Sequence, residues 1–423
     1  MKQVTPQMLW KPEKEMMESS NLSQYMNWLK QNRGLSFDTY DQLWKWSTDH
    51  IEDFWQSIWD YFDVISDGTH QSVLTGSQMP YYKWFEGRSL NYAEHVFRNS
   101  TQDYPALLYK SEDSPIQELS WKELETNTAN LQAKLIALGI EEGDRIAAYL
   151  PCIPEATIGF LATNSLGAIW SSCSPDFGTQ SIIDRFAQIE PKVLIATDSY
   201  QYGGKQFNKK NVVEEVVKAI PSIHTVILVT TSKNNVLSIP QPVIQFNDIV
   251  DGNSTSKLTF KRIPFSSPIW ILYSSGTTGL PKPITHSQGG ILLEQLKFLA
   301  FHKNQKPGER SFWFTTTGWM MWNHLMGSFL CGATVVLYDG SPAYPNLNVL
   351  WKLAQDSGMN QFGTSAGFIM ACLKAGINPK DEFDLSNLKF VGSTGSTLPP
   401  EGFNWIYQYV KKDVWLASVS GGT

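Results

Sequence analysis

The sequence predicts an α/β fold in which mostly parallel sheets form stacked βαβ subdomains, preceded by a mainly helical N-terminal region. From about residue 105 onward, short apolar runs alternate with amphipathic segments, which is the pattern of buried strands joined by crossover helices. The first hundred residues instead place apolar side chains at helical spacing. With 423 residues, of which 42% are hydrophobic, the chain is long enough for two or three domains with a sizeable core.

The N-terminal region is predicted to be helical because its apolar residues recur three and four positions apart, at 26–29, 43–46 and 54–59. Most of its aromatic side chains are expected in the core rather than at a ligand. We place three domains along the chain: a helical region at 1–104, a first α/β subdomain at 105–230 and a second at 231–423.

The first α/β subdomain carries clear signals for the ends of its elements. Residues 106–109 form an apolar run typical of a strand, and Ser120 with Glu123 has the spacing of a capping box at a helix start. A second strand is predicted over 145–150, and Pro154 suits the first turn of the next helix.

The alternation continues to the end of the sequence with one interruption. The polar stretch 230–257 is predicted to be a linker or a subdomain boundary. Residues 172–178 are expected to form a turn before a helix whose N-cap is Thr179. Further strands are predicted at 168–170, 193–196, 226–229, 312–314, 335–337, 388–391 and 414–416, and helices near 180–190 and 211–220.

Composition argues against several functional classes. The formal net charge of −6 opposes general attraction to nucleic acid or to a membrane surface, so local cations must draw any anionic substrate. The four cysteines lie far apart, without C-x-x-C or zinc spacing, and are expected to be buried free thiols. No apolar signal core or bilayer-spanning stretch is visible, so a cytosolic protein is expected.

The stretch 273–282, Tyr-Ser-Ser-Gly-Thr-Thr-Gly-Leu-Pro-Lys, is the strongest candidate for chemistry. It follows the apolar run 269–272 and precedes a helix predicted to begin near Ser287, so it is expected to be a loop that leaves a buried strand. Glycines expose backbone N–H groups, hydroxyls donate to anionic oxygens and a lysine adds positive charge, which together suit a polyphosphate. The residues concerned are Ser274, Ser275, Gly276, Thr277, Thr278, Gly279 and Lys282.

Two other interpretations of this stretch compete. An ordinary surface loop also contains Ser, Thr and Gly, although it rarely concentrates four hydroxyls, two glycines and a lysine in ten residues. A P-loop counted from Gly276 would place its lysine at Lys282, but Pro281 replaces its second glycine and Pro283 its magnesium-binding hydroxyl. A P-loop phosphotransferase is therefore disfavoured.

With its hydroxyls, glycines, proline and lysine in register, the stretch resembles the phosphate loop of the adenylate-forming enzymes, which include acyl-CoA synthetases, luciferases and peptide-synthetase adenylation domains. The resemblance implies that the loop closes on the β- and γ-phosphates of ATP while a carboxylate attacks the α-phosphorus. It implies catalytic roles for Thr278 and Lys282 and requires no protein nucleophile. His286 is interpreted as a structural residue near the loop.

Two downstream segments also resemble this family. In residues 317–323, a tryptophan after glycine resembles the one that lines the acyl pocket of acyl-CoA synthetases, which implies that role for Trp319, although core packing competes for any Trp/Met cluster. Residues 391–401 resemble the family's adenine loop, with an ordinary strand-to-helix turn as the alternative. The matching adenine-loop positions are Gly395, Ser396 and Thr397.

The segment 415–423 resembles the strand whose final threonine touches the α-phosphate in this family, which implies that role for Thr423. Acetyl-CoA synthetases carry a pocket-shortening tryptophan where this chain has Gly421, so the glycine implies room for a longer acid. Lys205 matches one of the residues that hold the 3′-phosphate of coenzyme A in acetyl-CoA synthetases, with a solvated basic loop as an equal alternative.

Over residues 80–423 the resemblance narrows to the acetoacetate-activating branch of the short-chain acyl-CoA synthetases. It implies that acetoacetate, ATP and coenzyme A give acetoacetyl-CoA, AMP and pyrophosphate, in ketone-body use and lipid metabolism. Alternatives are activation of acetate, propionate or butyrate, and a nucleotide-binding form without turnover. Family members continue into an acidic Mg²⁺ ligand and a small C-terminal domain with a catalytic lysine. We therefore expect a truncated chain that keeps its ATP contacts but has weak or absent turnover.

Overall fold

The structure is a computed structural model that describes residues 8–230, 236–251, 256–274 and 279–423. Short hairpins accompany two large sheets. The strands of the described residues are β1 (Leu74–Thr75), β2 (Lys83–Trp84), β3 (Ser89–Leu90), β4 (Leu107–Ser111), β5 (Gln117–Leu119), β6 (Arg145–Tyr149), β7 (Ile169–Cys173), β8 (Val193–Thr197), β9 (Ser199–Tyr202), β10 (Lys205–Asn208), β11 (Thr225–Val229), β12 (Val243–Gln245), β13 (Ile263–Pro264), β14 (Pro268–Ser274), β15 (Lys282–Ser287), β16 (Arg310–Trp313), β17 (Thr334–Asp339), β18 (Gln361–Ser365), β19 (Phe390–Thr394) and β20 (Trp415–Ser418).

Helices precede and connect these strands. They are α1 (Lys14–Glu18), α2 (Asn21–Arg33), α3 (Tyr40–Asp49), α4 (Ile51–Tyr61), α5 (Tyr92–Phe97), α6 (Trp121–Ala137), α7 (Pro154–Ser165), α8 (Thr179–Phe186), α9 (Lys210–Ala219), α10 (Phe246–Val250), α11 (Gln288–Lys297), α12 (Met320–Met326), α13 (Val349–Ser357), α14 (Ala366–Lys374), α15 (Pro379–Glu382) and α16 (Pro400–Trp405). π-helical turns at Phe298–His302 and Ile406–Val410 extend α11 and α16.

Both large sheets have seven strands and are mostly parallel. The first has the order β12-β11-β8-β6-β7-β14-β15, and the second has the order β20-β19-β18-β16-β17-β4-β5. Only the edge pairs β14–β15 and β4–β5 are antiparallel within these two sheets. The central strands are near-continuous apolar runs because helices cover both faces of a parallel sheet. The predicted α/β fold with mostly parallel sheets is confirmed.

Local signals in the sequence account for several helix boundaries. Ser120 and Glu123 form the predicted capping box at the start of α6, and Pro154 occupies the first turn of α7. The N-terminal helices α2, α3 and α4 contain the three predicted apolar segments. The N-cap predicted at Thr179 is wrong: α8 begins at Thr179, and Gly178 is its N-cap with an extended backbone.

The polar stretch 230–257 does not form a simple linker. Its described part contains β12, which pairs in parallel with β11, and the short helix α10. The two large sheets also mix strands from both sides of residue 230. The early strand β4 belongs to the second sheet, and the later hairpin β14–β15 belongs to the first. The domain boundary placed at 230 therefore does not coincide with a boundary between sheets.

A cluster of aromatic side chains joins the two sheets. Phe160, on the buried helix α7, lies 5.7 to 6.3 Å from the rings of Trp170, Trp270 and Trp322. Trp170 and Trp270 belong to the first sheet, whereas Trp322 follows a strand of the second. This shared core fixes how the loops that leave the two sheets face each other. In the described part of the chain, no helix is long and apolar enough to cross a membrane.

Candidate active site

The candidate phosphate loop connects two antiparallel strands. β14 is buried through Ile269–Leu272 in the sequence run predicted as a strand, and Ser274 at its end pairs with Lys282 at the start of β15. The helix predicted to begin near Ser287 is confirmed, since Ser287 is the N-cap of α11. The sequence analysis predicted no strand before it, whereas Lys282–Ser287 forms an edge strand. An edge strand tolerates Pro283, which cannot donate a ladder hydrogen bond.

On the described side of this hairpin, Gly279 and Lys282 are exposed. Among the described residues, no heavy atom lies within 4 Å of a Cβ built on Gly279. A bulky ligand can therefore approach this part of the backbone closely. The predicted ligands Ser275, Gly276, Thr277 and Thr278 lie outside the described residues.

Helix α8 anchors the base of the hairpin. The Gln188 amide donates to the carbonyl of Pro281 at 2.9 Å, and the Tyr273 hydroxyl donates to the carbonyl of Arg185 at 2.8 Å. The Arg185 guanidinium lies over the rings of Phe177 and Tyr273, at 4.8 and 5.8 Å from their centroids. Arg185 therefore brings a fixed positive charge beside the strand that ends in Ser274. The sequence analysis missed it, since its position within an amphipathic helix resembles an ordinary surface arginine.

His286 links the hairpin to the C-terminal segment. The Trp270 indole N–H donates to His286 Nδ1 at 2.7 Å. Burial lowers the pKa of His286, and the Thr423 backbone partly opposes that shift. Lys282 and His286 are four residues apart on one strand, so they share a face at about 13 Å separation. Thr423 thus lies near the His286 end of this strand, away from Lys282.

The predicted adenine loop is tied to the same C-terminal segment. Gly395 adopts a φ of +87° immediately after β19, and Ser396 and Thr397 are exposed. The Thr394 hydroxyl donates to the carbonyl of Val419 at 2.8 Å. The loop and the segment 419–423 are therefore held side by side at the carboxyl end of the second sheet, which is where ligands bind in parallel α/β folds.

Trp319 stands where loops from the two sheets meet. It is 60% exposed as the N-cap residue of α12, so it does not belong to the core. Ser172 donates its hydroxyl to the carbonyl of Thr317 at 2.6 Å. A Cβ on Gly318 would lie 3.0 Å from the Phe177 ring, so glycine permits this close approach of the two loops. The geometry leaves the indole of Trp319 free to form the wall of a pocket.

Gly421 borders open space. Among the described residues, no heavy atom lies within 4 Å of a Cβ built on Gly421 or on Gly422. Both glycines are exposed and follow directly after the segment that contacts β19. A Cβ added at position 421 would therefore contact no described atom.

Lys205 lies on a separate exposed hairpin formed by β9 and β10, opposite Tyr202. Its two-residue turn is held by the buried Glu112 carboxylate, which accepts from the backbone N–H groups of Gly203 and Gly204 at 2.6 and 2.8 Å. No described contact joins Lys205 to the phosphate-loop hairpin. The described residues thus connect the Lys282 strand, through His286, and the Gly395 loop, through Thr394, to the segment 419–423, and Lys205 lies apart from them.

An acidic cavity lies beside the Lys205 hairpin. It has a volume of about 220 Å³ and is lined by Asp176, Asp339 and tyrosines 200, 202 and 338. Burial, together with the neighbouring carboxylates of Glu112 and Glu155, raises the pKa of Asp339 to about 7. The sequence analysis missed this aspartate, although its place at the carboxyl end of a predicted strand was a usable signal.

Two protein-family models match this chain, one in its helical N-terminal region and one in its α/β part. The family model for AMP-binding enzymes matches residues 94–418, and the model for the acetyl-coenzyme A synthetase N-terminus matches residues 40–96. The chain belongs to the AMP-binding enzyme family. The predicted resemblance to adenylate-forming enzymes is confirmed, and the helical N-terminal region has its own counterpart among acetyl-coenzyme A synthetases.

This AMP-binding enzyme has similar relatives in bacteria and animals. It is 42% identical over 415 residues to the acetoacetyl-coenzyme A synthetase of Rhizobium meliloti, covering 98% of this chain and 64% of that protein. It is 35% identical over 427 residues to the acetoacetyl-CoA synthetase of Xenopus tropicalis, covering 98% of this chain and 63% of the relative. The chain therefore spans slightly less than two thirds of the length of these relatives.

A solved structure has the same fold. The acetoacetyl-CoA synthetase from Streptomyces lividans superposes with a TM-score of 0.94 at 42% sequence identity, covering 99% of this chain and 65% of that one. The malonamoyl-CoA synthetase of Penicillium aethiopicum is a further relative, 32% identical over 434 residues, covering 96% of this chain and 60% of that protein.

Proposed function

We propose that this AMP-binding enzyme activates acetoacetate with ATP through an acyl-adenylate and transfers the acyl group to coenzyme A, giving acetoacetyl-CoA, AMP and pyrophosphate. One observation carries the proposal. The Lys282 strand and the Gly395 loop both adjoin the C-terminal segment: the Thr423 backbone is near enough to His286 to oppose the lowering of its pKa by burial, and the Thr394 hydroxyl donates to the Val419 carbonyl at 2.8 Å. These are the segments that resemble the phosphate loop, adenine loop and α-phosphate threonine of the family.

The chemistry requires positioning and charge neutralisation. A carboxylate must approach the anionic α-phosphate of ATP, and the two groups repel each other. Lys282 and the backbone N–H groups near Gly279 bind the β- and γ-phosphates, and Thr423 positions the α-phosphate. Bound Mg²⁺ supplies further positive charge on the phosphate oxygens. The thiol of coenzyme A then attacks the acyl carbonyl and AMP leaves with the bonding electrons.

The acid is a short one with a carbonyl on its third carbon. Gly421 leaves open the space that an indole would fill, and the exposed ring of Trp319 provides an apolar wall. Relatives are named as acetoacetyl-CoA and malonamoyl-CoA synthetases, and both names denote acids with that third-carbon carbonyl. Lys205 contacts the 3′-phosphate of coenzyme A from the hairpin rim. The enzyme works in the cytosol.

Binding of acyl-sulfamoyl adenosines tests this function without requiring turnover. These analogues replace the acyl phosphate with a stable linkage, so calorimetry on the purified chain reports the pocket directly. We expect the acetoacetyl analogue to bind at least about tenfold more tightly than the acetyl analogue, the range that a pocket change of this size produces. Equal affinity for all acyl groups would contradict the substrate, and no binding of any analogue would contradict the adenylate site.

The substitution Gly421→Trp locates the acyl pocket. We expect it to weaken binding of the acetoacetyl analogue by about tenfold or more while the acetyl analogue keeps its affinity, because the indole fills the outer part of the pocket. Gly422→Trp is the matched control, since that glycine has the same open surroundings one position later. Equal effects of both substitutions would show that the residue at position 421 does not limit the length of the acid that binds.

A further inference from the structure

A second cavity lies at the opposite edge of the second sheet from the candidate active site. It opens below the amino ends of β16, β18, β19 and β20, whereas the Gly395 loop leaves the carboxyl end of β19. Its volume is about 390 Å³. The N-terminal residues 10–19 cover one side, where the Trp10 indole N–H donates to the Asp413 carboxylate at 2.8 Å. A strand of five residues separates the two edges by about 15 Å.

Lys303 lines this cavity in an unusual environment. Its residue exposure is only 5%, and its ammonium lies between the rings of Trp313 and Phe390, at 5.6 and 5.3 Å from their centroids. In the described part of the chain, the ammonium forms neither an ion pair nor a hydrogen bond. A buried ammonium normally requires a paired anion, since two aromatic faces replace only part of its hydration.

The other lysines around the cavity already have partners. Lys389 forms an ion pair with Glu309 at 2.8 Å, and Lys306 donates to the Ser19 carbonyl at 2.9 Å. Lys411 donates to three backbone carbonyls of the segment 385–388. Among the described residues, Lys303 is thus the lysine of this cavity whose ammonium makes no hydrogen bond or ion pair.

A buried amide provides the second recognition group. Gln361 is 2% exposed and lines the cavity, and its Nε2 donates to Glu309 at 3.2 Å. Its Oε1 has no partner among the described residues. The residues that line the cavity therefore include a buried ammonium without a described hydrogen bond, with the Glu309 carboxylate as a neighbouring charge, and a buried amide oxygen without a described partner.

The lining selects the kind of anion. Four lysines and four acids surround the cavity, so a dianion such as phosphate gains no net attraction from the walls as a whole. Apolar surfaces of Trp10, Phe390 and Trp415 favour a ligand with a short hydrocarbon part. We propose that this cavity is a second binding site for a short-chain monocarboxylate. The carboxylate of the ligand pairs with Lys303, and a water molecule or a hydroxyl of the ligand connects it to Gln361.

Chemical labelling of Lys303 provides a test on the unmodified chain. Burial lowers the pKa of Lys303 to about 8, so a fraction of the amine is neutral and acylable near that pH. A paired carboxylate raises the pKa and blocks access. We expect butyrate to protect Lys303 from acetic anhydride in a saturable manner, measured by mass spectrometry of its peptide, with Lys380 as an exposed internal control. Lys380 also lies over a ring, that of Tyr409.

Phosphate as a competing anion completes this experiment. Weak protection by phosphate at the same ionic strength, with saturable protection by butyrate, supports the monocarboxylate site. Equal protection by phosphate would overturn the carboxylate assignment and leave a general anion site. Absence of protection by butyrate would show a cavity filled by water only, and would overturn the proposal.

Two variants separate this site from the candidate acyl pocket. Lys303→Met keeps an unbranched side chain between the rings and removes the charge, so we expect butyrate affinity at this site to fall by about tenfold or more, as for loss of a charged hydrogen bond. Lys380→Met is the matched control. Trp319→Ala should leave protection of Lys303 unchanged, so failure at one site is distinguishable from failure at the other.

Discussion

Trp319 and Trp322 are three residues apart and have opposite surroundings. Trp319 is 60% exposed at the start of α12, whereas Trp322 is fully buried against Phe160 and Trp170. The sequence analysis weighed a pocket against the core for this cluster as a whole. The backbone resolves the choice residue by residue, because the N-cap position turns Trp319 outward and the next helical turn directs Trp322 between the sheets.

Alanine substitutions should separate these two roles. We expect Trp322→Ala to lower the free energy of unfolding by about 3–5 kcal/mol, because it leaves a cavity in a close-packed core. Trp319→Ala should change the free energy of unfolding by less than about 0.5 kcal/mol. It should nevertheless weaken binding of the acetoacetyl-sulfamoyl adenosine. Denaturant unfolding and calorimetry measure the two effects, and a larger stability loss for Trp319→Ala would place that indole in the core.

The carboxyl group of Asp339 contributes more to the stability of the fold at low pH than at neutral pH. Burial and the nearby carboxylates of Glu112 and Glu155 raise its pKa from 3.8 to about 7 in the folded chain. The folded state therefore binds a proton that the unfolded state releases between these two values. Its contribution to stability is fully present below pH 3.8 and is lost as the pH rises through about 7.

The substitution Asp339→Asn should remove this dependence. As the pH rises from about 4 to about 7, we expect the wild type to lose unfolding free energy relative to Asp339→Asn. Above that range the difference between the two proteins should stay constant. Urea unfolding at a series of pH values measures it. Parallel curves for the two proteins across this range would show that Asp339 is ionised throughout in the fold. Glu155, whose pKa burial also raises, remains in both proteins.

At the scale of elements, one indole packs across two neighbouring strands. A Cβ built on Gly363 of β18 would lie 2.2 Å from the Trp313 ring, and one built on Gly392 of β19 would lie 2.6 Å from it. Both glycines therefore make room for Trp313 rather than for a turn. This explains why the sequence analysis missed β18: its Gln-Phe-Gly-Thr-Ser sequence has little apolar character of its own.

Gly363→Ala tests this packing. We expect a loss of about 1–3 kcal/mol in the free energy of unfolding, because an added methyl forces the Trp313 ring out of its place. Gly367→Ala is the matched control in α14, where the nearest atom to an added Cβ is 3.7 Å away. That substitution should be neutral or stabilising by up to about 1 kcal/mol, since alanine favours a helix. Equal effects would mean that β18 accommodates a side chain.

Strong local signals made much of the fold predictable from the sequence. The capping box of α6 and Pro154 of α7 fixed helix starts, and apolar runs fixed the central strands. β15 escaped prediction because Lys282 and Pro283 give it a polar, proline-containing start. Its strand character comes from pairing with β14, which is a tertiary effect that local patterns do not contain.

At the scale of the whole molecule, the strand order of the two large sheets determines where the loops of the candidate site lie. Each large sheet takes strands from both sides of residue 230, so the Lys282 hairpin belongs to the first sheet and the Gly395 loop to the second. The resemblance of single motifs provided the candidate residues of the site. Their meeting depends on crossovers between distant segments, and on contacts such as Gln188 with Pro281, which no short pattern encodes.

If one triphosphate spans both sheets, then residues from the two sheets should act as a unit. We expect Lys282→Ala and Thr423→Val each to weaken binding of a non-hydrolysable ATP analogue. In the double variant, the factor by which the affinity for the analogue falls should differ by more than about threefold from the product of the two single factors. This is expected because both residues bind neighbouring phosphates. The single variants should keep the wild-type melting temperature, since Lys282 is exposed.

A second cycle, pairing Lys282→Ala with Lys205→Ala, provides the control. Lys205 lies on the separate β9–β10 hairpin, so the two losses in affinity for the ATP analogue should multiply within error. Calorimetry on the four proteins of each cycle measures both couplings. Independent effects in the Lys282–Thr423 cycle would mean that the two residues do not share a ligand, even though His286, on the same strand as Lys282, lies near the Thr423 backbone. The nucleotide would then bind residues of one sheet alone. The contacts of the Lys282 strand and the Gly395 loop with the C-terminal segment would then stabilise the fold without forming a shared nucleotide site.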